Sequence, residues 1–267
     1  MTMRETSGAS PTSPFLRPRP VADPTLRLIV FHHAGGAAAA YHGMSAALPA
    51  DWELLLLELP GRGKRHAEPL VSALSDLLPG VIAAVLPWLA DTAPVALFGH
   101  SLGAILAAEI ARACEQRGTP PVWVGISGRV APSEHGATPR LSAMDDATLL
   151  AELFALGGTS SRAQDVPELR ARLLRIVRAD IGLLESYAPP ADRAPIASPM
   201  TTFAGTGDVW AAPAAMAPWA RETRGPYNAR LYPGGHFFFL EAAHGASLAS
   251  YTLDLVSEIA RAIARGR

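Results

Sequence analysis

The chain predicts an α/β domain: a mostly parallel central sheet with helices on both faces and a helical insertion over one edge. Three observations carry this. Short apolar runs rich in β-formers alternate with helical patterns, as in a parallel sheet covered on both sides. The pentapeptide Gly99-His100-Ser101-Leu102-Gly103 joins an apolar run, PVALF, to a strongly helical one, AILAAEIARACEQRG. The alternation then stops between Arg129 and Pro199, where no credible strand occurs.

In chain order, the expected strands are Leu26–Phe31, Trp52–Leu57, Val95–Phe98, Val122–Ser127, Met200–Ala204 and Asn228–Leu231. Helical patterns fall at Ala40–Leu48, Leu74–Ala90, Leu102–Arg117, Ala212–Glu222 and Gly245–Arg265. Within the strand-free stretch, two amphipathic helices are expected, Asp145–Leu156 and Val166–Tyr187. A structureless loop of that length is uncommon in a compact domain, so a helical lid over about 137–195 is the expectation. On the second lid helix, Leu169, Leu173, Ile176, Val177 and Leu184 form one stripe at 100° per residue, with Arg175 and Arg178 pointing away. Asp180 falls inside that stripe, and a carboxylate on an apolar face needs a partner. A salt bridge or cap contact beneath the lid would satisfy it; so would a polar contact in a substrate chamber.

Residues 1–24 are rich in Pro, Ser, Thr and Arg and predict a disordered leader, with a docking tail as the other reading. The leader has no apolar core of the kind a secretory signal needs. Residues 25–267 then form one domain. A net charge of −1, from 23 basic and 24 acidic residues, gives no reason to expect nucleic acid or an acidic membrane as partner. No apolar run is long enough to span a bilayer. The single cysteine, Cys114, permits no internal disulfide, is expected to pack, and fits a reducing cytoplasm.

A Gly-x-Ser-x-Gly turn between strand and helix is a nucleophile elbow, which lifts its serine above the sheet. A serine hydroxyl needs a base to take its proton and an acid to orient that base. Asp208 follows the Met200–Ala204 strand and His236 follows the Asn228–Leu231 strand, so Ser101, Asp208 and His236 each stand at the C-terminal end of a strand. Open α/β sheets bind their ligands at that edge. Asp180 is the alternative acid. Ser127 in GISGR lacks the second glycine and a following helix, and reads as a strand-end residue. His100 is expected to pack or hydrogen-bond beside the nucleophile. The remaining histidines, His32, His33, His42, His66, His135 and His244, have no metal-ligand spacing, so no metal and no cofactor are expected. Oxyanion donors are expected from the backbone N–H of Leu102 and from the loop HHAGGAAAAY, at Ala34 or, alternatively, at His33.

With these residues in place, the chain resembles the type II thioesterases of polyketide and nonribosomal peptide synthesis, members of the α/β-hydrolase superfamily. The resemblance rests on FHHAGG, ELPGRGKRHAEP, LFGHSLGA, SGRVAP, LSAMDDATLLAELFALGGT, RADIGLLESYAP, FAGTGD and GGHFFF, spanning Phe31 to Phe239. It implies triad roles for Ser101, Asp208 and His236 and oxyanion roles for Ala34 and Leu102. It also implies hydrolysis of acyl groups from the phosphopantetheine arm of an acyl or peptidyl carrier protein, which clears stalled assembly lines. The partner would be that carrier protein, the enzyme a free-standing monomer. Two departures stand out: His32 where the family has proline, and Trp210 just after the acid, where a smaller residue is expected. A small-molecule carboxylesterase or lipase-like hydrolase on the same fold is the alternative.

Overall fold

The computed structural model describes residues 13–134, 140–157, 165–190, 192–240 and 247–266. Among them, seven strands form one sheet in the order β1-β3-β2-β4-β5-β6-β7: β1 Phe15–Leu16, β2 Leu26–Phe31, β3 Trp52–Leu57, β4 Val95–His100, β5 Trp123–Ser127, β6 Met200–Gly205 and β7 Tyr227–Tyr232. All pairs are parallel except β1 with β3. The helices are α1 Leu74–Leu89, α2 Leu102–Glu115, α3 Asp146–Leu156, α4 Pro167–Glu185, α5 Pro213–Met216 and α6 Leu248–Gly266.

The central strands are buried end to end because both faces are covered. Strand side chains alternate between faces, and β2 shows it: Ile29 and Phe31 join α1 and α2 in one apolar layer, while Leu28 and Val30 join Tyr251, Leu255 and Ile259 of α6 in the other. The six expected strands and both insertion helices form at the expected places. The insertion helices share a small core of their own, Leu149 and Leu153 of α3 against Leu174, Val177 and Ile181 of α4. Leu169 lies outside that core and is exposed, so the apolar stripe of α4 starts later than its periodicity suggests. The parts of the insertion at 137–139, 158–164 and 191, and the start of the last expected helix at 245–246, lie outside the described residues, as do His135 and His244.

Two expected helices are looser than α-helical. The first is a 3₁₀ run, Ala38–Ala46, and the Ala212–Glu222 segment splits into α5 and a 3₁₀ turn, Ala217–Arg221, with Pro218 inside it. Proline lacks the N–H that an α-helical continuation would need.

The leader needs a larger correction. Residues 1–12 lie outside the described part, but 13–24 are held to the sheet rather than free. Phe15 is buried edge-on against Trp88, their ring centroids 5.9 Å apart. Lys64 donates to the Phe15 carbonyl, Arg17 pairs with the buried Glu53, and Arg19 donates to the Pro49 carbonyl. Glu53 also pairs with Arg27, so a carboxylate inside the sheet is matched by two guanidiniums. Composition placed Arg17 in a disordered leader; the acid that recruits it, Glu53, sits on β3, far away in sequence. Phe15→Ala is therefore expected to destabilise the fold by about 3 kcal/mol, as measured by urea unfolding; a change below about 0.5 kcal/mol would return this segment to the role of a loose tail.

Candidate active site

The elbow begins with a backbone conflict that only glycine resolves. Ser101 adopts φ 55° and ψ −112°, the one positive φ of a non-glycine residue among those described. Such a conformation costs on the order of 1–3 kcal/mol and persists only where its surroundings enforce it. Three contacts do so. A methyl group on Gly99 would collide with the carbonyl of Gly103, and one on Gly103 would collide with the carbonyl of Phe31. The Ser101 N–H donates to the Ser127 carbonyl at 2.8 Å. The first turn of α2, including the N–H of Leu102, is thereby pressed against the end of β2, and the positive end of the helix faces the same rim.

Phe31 pairs with Gly99 across β2 and β4, so the loop after β2 leaves the sheet beside the elbow. That loop makes a tight turn over 33–36, closed by the Gly36 N–H to the His33 carbonyl at 3.1 Å. Gly35 at its third position has φ +75°, as a type II turn requires. The loop carries Ala34 and His33, the expected donors.

The acid and base arrive on loops that are zipped together. The Thr206 N–H bonds the Tyr232 carbonyl and the Gly207 N–H bonds the Gly234 carbonyl, each at 2.8 Å. His236 Nδ1 lies 2.7 Å from Asp208 Oδ2, both residues buried. The other oxygen, Oδ1, accepts the N–H groups of Trp210 at 2.8 Å and Ala211 at 2.9 Å. Burial opposes the charge of Asp208, but the His236 hydrogen bond and charge and those two N–H groups outweigh it and hold the carboxyl below its ordinary range. The expected acid thus meets the expected base. Asp180 does not: its partners are Arg62 and Gly35.

His100 links the base to the nucleophile's neighbourhood. Its ring centroid is 4.8 Å from that of His236, and its Nδ1 is 2.9 Å from Ser127 Oγ, the packing and hydrogen-bonding role expected of it. Ser127 is buried at the end of β5, as a strand-end residue. His33 stacks behind, 6.2 Å from His100, with Nδ1 3.0 Å from Tyr41 Oη. Burial, and then neighbouring cations, push His32 and His33 down to about 3, and burial keeps His100 well below 6.5. These rings are neutral at ordinary pH, and of them His100 packs against His236. The Trp210 ring, 6.1 Å from His236, forms a half-buried wall beside the base, with the exposed Val209 at its edge. Cys114 is buried in the apolar layer under α2, as expected. Among the described residues no cluster of His, Cys, Asp and Glu could hold a metal ion, and no helix is long and apolar enough to cross a membrane.

A model of the thioesterase domain matches residues 26–254. The chain belongs to the thioesterase domain family. Thioesterase PikA5 of Streptomyces venezuelae is 38% identical over 227 residues, covering 84% of this chain and 79% of that protein. The RedJ thioesterase from the prodiginine pathway of Streptomyces coelicolor superposes with a TM-score of 0.80 at 32% identity, covering 89% of this chain and 87% of that one. The type II thioesterase BorB from the borrelidin cluster gives 0.80 at 30% identity, covering 92% and 97%. The protein is accordingly an α/β-hydrolase and a serine-type thioester hydrolase.

The neutral histidines make stability depend on pH. Each takes up a proton in the unfolded chain below pH 6.5 but resists it when folded, so its contribution is complete above 6.5 and is lost as pH falls from there, toward about 3 for His32 and His33. Each blocked proton weighs about 1.4 kcal/mol per pH unit in that window. Urea midpoints are expected to fall as pH drops from 6.5 toward 4.5; an unchanged midpoint would show that the folded state accommodates these rings as cations.

Proposed function

We propose that this thioesterase is a type II editing enzyme that hydrolyses acyl groups from the phosphopantetheine arm of acyl or peptidyl carrier proteins, using Ser101, His236 and Asp208 as its triad. The observation that carries the triad is the buried Asp208–His236 hydrogen bond at the rim where the strained Ser101 elbow opens. The substrate class rests on relatives named for the prodiginine pathway and, as a type II thioesterase, for the borrelidin cluster.

The chemistry follows from the positions. Asp208 fixes the tautomer of His236, leaving Nε2 to take the proton of Ser101. The alkoxide attacks the thioester carbonyl, and the N–H groups of Ala34 and Leu102 hold the developing oxyanion. Each such donor is typically worth roughly 3–4 kcal/mol of transition-state stabilisation. The thiol departs with the proton from His236 or as thiolate. Water, activated by the same imidazole, then hydrolyses the acyl-enzyme and frees the acid. The helical insertion acts as the lid, and the arm enters beneath it while the carrier stays outside. No cofactor takes part, and the enzyme works as a cytoplasmic monomer.

Two measurements test this. Ser101→Ala is expected to abolish turnover with the fold intact, and Asp208→Asn to lower kcat about 10³–10⁴-fold; appreciable turnover by Ser101→Ala would remove it as nucleophile. Acyl groups loaded on carrier proteins are expected to be cleaved with higher kcat/KM than the same groups on simple thiols. Equal rates, with strong turnover of soluble esters, would favour a small-molecule esterase.

A further inference from the structure

Behind the loop that carries Ala34 lies a buried ion pair that the triad does not use. Arg62, from the loop after β3, grips Asp180 of α4 with two hydrogen bonds, Nη1 to Oδ2 at 2.5 Å and Nη2 to Oδ1 at 2.6 Å. Asp180 is wholly buried and Arg62 nearly so. Such a pair could be mere ballast for the insertion, but besides the bonds of Arg62 to its own loop at the Pro60 carbonyl, further bonds reach the loop that carries Ala34. Asp180 Oδ2 accepts the N–H of Gly35 at 2.7 Å, and Arg62 Nη1 donates to the carbonyl of Gly36 at 3.3 Å. Glu58 of the same loop region accepts the N–H of Ala38 at 3.1 Å. The side chain of Val177, one turn before Asp180 on α4, leaves no room for a Cβ on Gly35.

The Gly35 N–H belongs to the central peptide of the 33–36 turn. A flip of this peptide swings the Gly35 N–H and the Ala34 carbonyl between the type II and type I arrangements, so holding it holds the shape of the whole turn. A carboxylate that accepts the Gly35 N–H holds the peptide in one of its two orientations, and the guanidinium fixes the carboxylate. The charge balance matters as well. Without Arg62, Asp180 would stand as a bare anion beside the place where an oxyanion develops.

We infer that Arg62 and Asp180 are positioning residues for thioester hydrolysis: by gripping the Gly35 N–H and the Gly36 carbonyl they hold the 33–36 turn in place, and with it the Ala34 N–H of the preceding peptide, facing the developing oxyanion. Because Asp180 rides on α4, the polar contact runs from the insertion to the turn through this one side chain. The positioning role rests on the assignment of Ser101 as nucleophile and Ala34 as donor.

The test compares Asp180→Asn, Arg62→Lys, Arg62→Met, the double variant Arg62→Met/Asp180→Asn, and Leu149→Ala, which loosens the insertion's own core without touching the loop. The readouts are kcat and KM on an acyl thioester of a simple thiol, affinity for a trifluoromethyl ketone that forms an oxyanion on serine, and melting temperature. Asp180→Asn is expected to lower kcat about 10- to 100-fold with KM within about threefold, and to weaken the ketone by the same factor. Arg62→Met is expected to lose more kcat than the double variant, which removes the stranded charge. Leu149→Ala is expected to lower the melting temperature while ketone affinity stays within about twofold. Should Asp180→Asn not fold, Arg62→Lys, which keeps the charge but not the two-pronged grip, supplies the same readout. Ketone affinity unchanged in Asp180→Asn or Arg62→Lys, or a loss that tracks melting temperature as in Leu149→Ala, overturns the inference. Ser101→Ala run alongside separates the two levels: if it is inactive while these variants behave as wild type, only the positioning role falls; if it turns over, the assignment of the site falls and this role with it.

Discussion

The contact of backbone on backbone at Gly99, Gly103 and Phe31 is the constraint on which the rest depends. With no side chain at either glycine, α2 drops onto the ends of β2 and β4, and Ser101 is forced into its unusual φ. The same contact sets the loop after β2 beside the first turn of α2. Ser101, which we propose as the nucleophile, a helix terminus and a glycine-rich turn thus share one rim. The parallel order β2-β4-β5-β6-β7 then delivers the loops after β6 and β7 to that rim.

Electrostatics completes what the backbone begins. Asp208 is held as an anion by two backbone N–H groups and by the base that it orients. The imidazoles of His33 and His100 are kept neutral by burial, and the His100 ring packs 4.8 Å from that of His236. On the far side of the oxyanion loop, Arg62 and Asp180 cancel each other's charge. Asp208 with His236 and Asp180 with Arg62 are matched pairs inside an apolar shell, where low effective permittivity strengthens each of them.

Much of this was legible in the residues. The β-strands of the parallel core, the elbow, and the order Ser101, Asp208, His236 are local patterns: alternation, a pentapeptide, and polar residues just past strand ends. Asp180 was legible as a misfit on an apolar stripe, although its partner was not. Arg62 lies 118 positions away in a glycine-flanked loop, and nothing in its own neighbourhood marks it as buried. The strand at Phe15–Leu16 was missed for the same reason. Two residues carry no period, and the pull of Glu53 on Arg17 appears only once β3 is folded alongside. Loop-borne ion pairs and short edge strands depend on distant partners; the parallel core depends on its own composition.

The most direct test of the central claim is to treat the enzyme with a fluorophosphonate and map the modified peptide by mass spectrometry. One adduct on Ser101 is expected, formed far more slowly when His236 is replaced by alanine. An adduct on Ser127 or Cys114 in its place, or labelling of Ser101 at an undiminished rate without the imidazole, would contradict it.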